Sequence, residues 1–527
     1  MKHMGRIALL LLCLTLLLSS MAGFVSCQPS SSGPSGTETT TDSGTGSDNS
    51  GSTDNSVTTG NTGTPDDPEA DLYTGLKKVD FSQNGQAVEF RILSNWAEDK
   101  DASLMDSEDL TQVFSKAIYS RNALVEETLG VMIVWTPETY GNIRTKLQNL
   151  KASNDYAYDV VYNETYFQAT SVAQDMYKSV NSYSKYLDFT KPWWYSDVQN
   201  DLTVADNAFL FGGALNMSLD DMIWCVAFNT VTITNFGATS PFDYVYDDNW
   251  TWETFYTLSK ETRGQGKYGI TSHYQMADAL FFGTGLTMVD KNDDGELVRT
   301  KVDNRFVNIY EEMINKFFDK NGLDEYAENA IISKSSSSEI TTKYDWSSIE
   351  GENNPFLYGN STFWVTVTNG VKRMLPKSEV EYGVVPIPKY DQEQEKYIGW
   401  VSRPAAIGGI PSTIDGQPEG TLERVCTVLE WLSAYSHKLV RPAYYDTIML
   451  GRVPRQLETK EMLGIIFGLD ERGMRKLELS ATFNLGMVEL LEINALDCKP
   501  DISSALYGYE SVVDGKIDEI FEYYRTH

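Results

Sequence analysis

From about Val79 onward, apolar and polar positions fall into a regular succession of elements. Val88, Phe90 and Ile92 alternate with Glu89 and Arg91, the two-residue period of a half-buried strand, which closes on Ser94-Asn95-Trp96. A helical pattern runs from about Leu110 and stops at Gly130, a residue suited to leaving a helix. Val131 to Trp135 reads as a second strand, Ile143 to Leu150 as a helix, and Tyr158 to Tyr162 as a third strand. Strand, helix, strand, helix, strand implies parallel pairing through crossovers, and hence an α/β arrangement.

The succession continues. Phe209 to Gly213 reads as the start of a hairpin and Met222 to Phe228 as a strand. Trp252 to Arg263 is helical, with Thr251 placed to cap it. Phe306 to Phe318 is an amphipathic helix. Phe363 to Val367, ending at Thr368-Asn369-Gly370, and Tyr382 to Pro386 are strands. Leu422, Val425, Val428, Leu429 and Leu432 stand at helical spacing, and the chain beyond 440 is mostly helical. There is no internal repeat.

Before Val79 the pattern disappears. Residues 28 to about 70 are Ser, Thr, Gly, Asp, Asn and Pro, with almost nothing to bury, a composition that does not pack. Ahead of it stand Lys2 and Arg6, then an apolar run from Ile7 to Leu18 broken only by Thr15, then Ala22-Gly23-Phe24-Val25-Ser26-Cys27. That run falls short of the roughly 20 residues a membrane span needs. Charged start, short apolar core and a cysteine after small residues resemble the signal peptide and lipobox of a bacterial lipoprotein. Phe24 departs from the usual Leu at its position. The resemblance implies cleavage before Cys27, lipidation of its thiol, and an extracytoplasmic protein held to the cell membrane by acyl chains. Residues 1–27 are then signal and 28–78 a tether, whose coil would span on the order of 35–40 Å.

With 527 residues, the chain exceeds the size at which a single core usually stops growing, so two lobes are expected. The net charge of −31 argues against nucleic acid and against anionic lipid surfaces, both of which need clustered Lys and Arg. Of five cysteines, Cys225, Cys426 and Cys498 remain after the signal and the anchor, an odd number without metal-ligand spacing, and they read as buried free thiols.

Several segments carry a resemblance to a known family. Arg121 to Val131 is similar to its first helix running into its second strand, and Asp159-Val160-Val161 to its third strand. Leu187 to Trp194 resembles a segment of the same subgroup. Tyr382 to Asp391, Ile410-Pro411-Ser412-Thr413, Leu429-Glu430 and Arg441 to Asp446 are the most specific part. Phe228-Asn229 stands where the family has Tyr-Asn-Lys, with Thr230 in place of the lysine. Taken together, residues 85–527 resemble the extracellular solute-binding proteins of bacterial ABC importers, of the carbohydrate type (family 1). The resemblance implies an α/β, two-lobed periplasmic-binding-protein-like (type 2) fold with a hinge and an interlobe cleft. Lobe one would hold 79–225 plus 400–437, and lobe two 228–398 plus 440–527. It implies no cofactor and no catalysis. The expected partners are a carbohydrate ligand and an ABC permease, served by a monomer.

In α/β sheets ligands sit beyond the carboxyl ends of parallel strands. That rule selects Asn95 and Trp96 after the first strand, Asn163, Glu164 and Tyr166 after the third, and Asn369 after the Phe363–Val367 strand. Trp400 and Arg403 precede the return to lobe one. Amides and carboxylates suit vicinal hydroxyls, and aromatic faces suit the CH face of a sugar ring. Each also has a structural alternative: Trp96 as a strand cover, Glu164 as a helix cap, Asn369 as a turn residue, Arg403 as a lobe-bridging ion pair. Trp193, Trp194 and Trp364 read as packing residues. Asp290-Lys291-Asn292-Asp293-Asp294-Gly295 matches half of a calcium loop, but Lys301 occupies the position that needs a bidentate Glu, and a hairpin turn explains it equally. A surface glycoside hydrolase would need a pair of carboxylates at a fixed separation, and acidic residues are plentiful in this chain. The chain has neither G-x-S-x-G nor H-E-x-x-H, and three histidines after the signal. A sensor module for a receptor kinase is the remaining alternative.

Overall fold

The structure is a computed structural model, and it describes residues 72–95, 113–265, 267–318, 330–333, 354–448 and 456–527. The chain divides into two units at Asp66 and Asp67, and everything below concerns the second. Its strands in chain order are β1 (Val88–Ser94), β2 (Val131–Pro137), β3 (Val160–Glu164), β4 (Trp224–Asn229), β5 (Tyr268–His273), β6 (Val289–Lys291), β7 (Leu297–Arg299), β8 (Ala330–Ser333), β9 (Ser361–Val367), β10 (Tyr382–Pro386), β11 (Tyr397–Trp400), β12 (Ala406–Gly409) and β13 (Gly473–Lys476).

The first sheet has the order β12-β3-β1-β2. β1 runs parallel to β2 and β3, as the alternation of strands and helices requires, and β12 closes the edge antiparallel to β3. The Val113–Leu129 and Tyr140–Ser153 helices make the crossovers, and Gly130 leaves the first of them at φ 62°. Gly408 in β12 is required by close approach. A Cβ there would stand 2.5 Å from Phe211 and 2.8 Å from Tyr162.

The second sheet has the order β10-β4-β9-β5-β8, with β5 parallel to β8 and β9, and β4 antiparallel to both β9 and β10. β4, β9 and β10 are buried along their whole length, which is why their sequences carry short apolar runs instead of an alternation. The Trp252–Glu261 helix is capped by Thr251, and the Asn304–Met313 helix by Asp303, whose side chain accepts from the Phe306 N–H at 2.9 Å. β6 and β7 form a hairpin that carries Asp290 to Gly295, with Asp290 and Lys291 in the strand and the turn over 292–296. There Asn292 Oδ1 accepts from the N–H groups of Asp294 and Glu296.

Three expectations change. Phe209–Gly213 opens no hairpin, because Phe211 instead forms an isolated bridge to Gly408 of β12. The packed chain begins before Val79: Tyr73 stacks on Trp193 at 5.8 Å, and Trp431 Nε1 donates to the Lys77 carbonyl at 2.9 Å. The aromatic ring and the apolar Leu72 and Leu76 give this end of the expected tether something to bury. Cys225 and Cys426 are buried free thiols, whereas Cys498 is half-buried.

The chain passes from the first sheet to the second just before β4 and returns just before β12. The two passages lie side by side: Ile223 bridges Val401, and the Ser402 N–H donates to the Met222 carbonyl at 2.8 Å.

Candidate ligand-binding site

Strand ends place the polar groups. β1 ends on Ser94 and continues to Asn95, and β3 ends on Glu164 and turns directly into the Thr165–Val172 helix. β5 ends on His273 and continues through Tyr274 and Gln275 into the Met276–Gly283 helix. β9 ends on Val367 and continues into the Thr368–Met374 helix, which carries Asn369 in its first turn.

Arg403 joins these ends. Its carbonyl accepts from Thr165 Oγ1 at 3.0 Å, just beyond β3. Its guanidinium binds Glu489, and also Glu492 at 2.6 Å, both on the Met487–Leu496 helix. Glu492 in turn accepts from Gln275 Nε2 at 3.0 Å, just beyond β5. One arginine thus ties the carboxyl end of a strand in the first sheet to that of a strand in the second. Asn369 is close to the same passage, since the Thr368 N–H donates to the Ile223 carbonyl at 2.9 Å.

Charge is concentrated there. Asp278 is fully buried, and among the described residues its only side-chain partner is the neighbouring Glu492 carboxyl. Burial, and then the adjacent Glu492 carboxyl, push its own carboxyl well above the usual range. Two buried carboxyls in contact hold together when one carries a proton. Burial works against the Arg403 charge, and Glu492, Glu489 and Asp278 outweigh it, so the guanidinium stays firmly protonated. Burial, and then Glu164, raise the half-buried Tyr166 hydroxyl. Burial pushes His273 down to about 3, so it is neutral.

The residues expected from sequence fall into three groups. Glu164, Tyr166 and Arg403 come together at the strand ends, with Glu164 8 % exposed and Tyr166 half-buried. Asn95 and Asn369 are buried, and the Asn95 amide and the Asn369 Nδ2 find no partner among the described residues. Asn163 is consumed internally: Nδ2 donates to the Tyr140 carbonyl at 3.2 Å, and Oδ1 accepts from the Glu164 N–H at 3.0 Å. Trp400 is 1 % exposed, stacked on Trp224 at 6.2 Å and tilted against Phe282 at 5.7 Å. Because β11 pairs with β13 and packs under the Met276–Gly283 helix, both faces of its indole are covered. Trp96 lies outside the described residues.

Sequence reasoning missed Tyr274, Gln275, Asp278, Glu489 and Glu492. Tyr274, Gln275 and Asp278 follow β5, where Tyr268 and Ile270 are the available signal before the chain turns polar at Thr271, Ser272 and His273. The other two sit on a helix far along the chain, and only the fold brings them here. Trp193 and Trp194 both donate to Glu430, at 2.9 Å each, and are packing residues. Two hollows of about 570 and about 520 Å³ lie elsewhere, against the Thr421–Tyr435 helix.

No protein-family profile matches the chain, and no curated protein matches it. Solved structures do. UgpB from Mycobacterium tuberculosis, in complex with glycerophosphocholine, superposes with a TM-score of 0.53 at 11% identity, over 82% of this chain and 99% of that one. A cyclic α-maltosyl-1,6-maltose binding protein from Arthrobacter globiformis gives 0.51 at 11% identity, over 84% and 100%. A sugar transporter from Rhizobium etli in an open conformation gives 0.50 at 14% identity, over 84% and 100%. At these identities the likeness is one of fold. The chain has the mixed α/β fold of type 2 periplasmic binding proteins, as the resemblance in its sequence implied.

Proposed function

We infer that this protein is the binding component of an ABC importer, capturing a carbohydrate between its two sheets and releasing it unaltered. The observation that carries the reading is Arg403, whose backbone and side chain join the carboxyl ends of β3 and β5 at the passages between the sheets. Ligand sites of α/β folds lie at such ends, and clefts between packed units are where small molecules bind. Tyr166, Glu164, Asn95, Asn369, Tyr274 and Gln275 supply an aromatic face, amides and a carboxylate, the groups that hydroxyl-rich rings require. The side-by-side passages at Met222–Ile223 and Val401–Ser402 are the proposed hinge, and a ligand that touches both sheets would favour the closed form.

The ligand is an oligosaccharide in this reading, and the permease takes it from the closed form. Cys27 anchors the mature chain by lipid, so a Cys27→Ser chain is expected in the medium instead of the membrane fraction. Isothermal titration against a glycan panel, with chromatography of the sugar afterwards, tests capture. Saturable binding with intact sugar supports it. Shorter products would establish a hydrolase instead.

A further inference from the structure

The charge around Arg403 has a consequence for which glycan fits. Arg403 is committed on both arms, with Nη1 to Glu489 and Nη2 to Glu492 at 2.6 Å. Among the described residues no second lysine or arginine pairs with Asp278, Glu489 or Glu492. Three carboxyls therefore face one guanidinium. Even with a proton on Asp278, the group keeps a negative excess.

The hydrogen-bonding capacity points the same way. With one oxygen of Asp278 engaged with Glu492, its other oxygen and Oε2 of Glu489 are acceptors that no donor of the described residues reaches. Asp278 is fully buried, which makes an unfilled acceptor costly. Hydroxyl and ammonium groups of a ligand donate hydrogen bonds. Carboxylates, sulfates and phosphates only accept, and would have to displace Glu489 from Arg403 to find a cation. The Glu489 side chain is 38% exposed, so it is the member of the group that a ligand reaches first.

We propose that this site admits uncharged or amine-bearing oligosaccharides and rejects acidic ones, through the carboxyl excess that Asp278, Glu489 and Glu492 hold around Arg403. The inference rests on the carbohydrate reading of the site and adds the charge class of the ligand.

The test is titration calorimetry on the mature chain with maltotetraose, cellotetraose, a glucosamine tetrasaccharide from chitosan, and tetragalacturonate. Binding confined to neutral or amine-bearing probes is the expected result. If the glucosamine probe binds, its affinity falls several-fold when salt rises from low to about 0.5 M, through screening of the carboxyls. Glu489→Gln, checked for folding by circular dichroism, lowers that affinity about tenfold or more and brings tetragalacturonate closer to the neutral probes. Tetragalacturonate binding as tightly as the best neutral sugar overturns the charge inference and leaves the carbohydrate reading standing. A folded protein that takes none of the four, nor any member of a wider panel, overturns that reading and this inference with it.

Discussion

Arg475 lies against Asp220, with Nη1 donating at 3.1 Å and the guanidinium 3.8 Å above the Tyr195 ring. Its other edge makes a two-pronged bond to Asp197, at 2.9 and 3.0 Å. Arg441 reaches the same Asp220 oxygen at 3.5 Å. Both Arg475 and Asp220 are buried. The contact ties β13, on the C-terminal part of the chain, to the segment that leads into β4. Removing one partner of a buried pair leaves the other charge uncompensated. Asp220→Ala, which leaves the buried Arg441 without a carboxylate among the described residues while Arg475 keeps Asp197, is expected to cost about 3–5 kcal/mol. Urea titration checks it, and a loss below about 1 kcal/mol would show that water reaches the network.

Trp400 separates a packing role from a binding role. With its indole between Trp224 and Phe282, Trp400→Ala should destabilise the fold by about 3–5 kcal/mol through the cavity it leaves. Its Nε1 has no acceptor among the described residues, so Trp400→Phe gives up no hydrogen bond there and should cost less. In both variants the folded fraction is expected to bind sugar within about threefold of the parent, since ~0.6 kcal/mol is about a factor of three. A Trp400→Phe protein of parental stability that no longer binds would return this residue to the site.

Stability should fall as pH rises from about 4.5 to about 7. Burial lifts the Glu430 carboxyl to about 7 despite the opposing indole N–H groups of Trp194 and Trp193. Burial lifts Glu478 to about 7 against the backbone N–H groups of Ala481, Met288 and Val289. In that window the folded chain holds protons that the unfolded chain releases. The stabilisation is full below the ordinary carboxyl pKa and is lost as pH climbs through the raised one. Each group contributes a slope of at most about 1.4 kcal/mol per pH unit. Glu430→Gln should flatten the slope by about 1 kcal/mol per unit. Denaturant midpoints measured across the window decide it, and an unchanged slope would mean that Glu430 is ionised in the folded chain.

Asn369 is expected to matter to ligand more than to the fold. Its Nδ2 has no acceptor among the described residues, so Asn369→Ala removes an unfilled donor and should change stability by less than about 1 kcal/mol. If a sugar hydroxyl accepts from it, the same substitution weakens binding by about 0.5–1.5 kcal/mol, or roughly twofold to tenfold. Thermal melting and calorimetry on one preparation separate the two effects. Affinity that stays at the parental value would assign the amide to the fold alone.

The sequence by itself determined the elements whose periodicity is local. β1, β2 and β3 with their crossover helices follow from alternation and from Gly130, and β10 spans Tyr382 to Pro386 as its pattern predicts. The candidates at the ends of β3 and β9 were legible for the same reason, because a strand's carboxyl end can be read from where its apolar run stops. Only the tertiary structure decided the rest. β11, β12 and β13 are four-residue strands with glycines and too short for any period, and they exist because a neighbouring edge pairs with them. Trp400 reads as an exposed aromatic until Trp224, some 180 residues away in sequence, covers it. Arg403 is legible as a charge, but its partners Glu489 and Glu492 reach it only through a helix folded back from the far end of the chain. Burial and charge pairing are properties of neighbours in space, and periodicity records neighbours only along the chain.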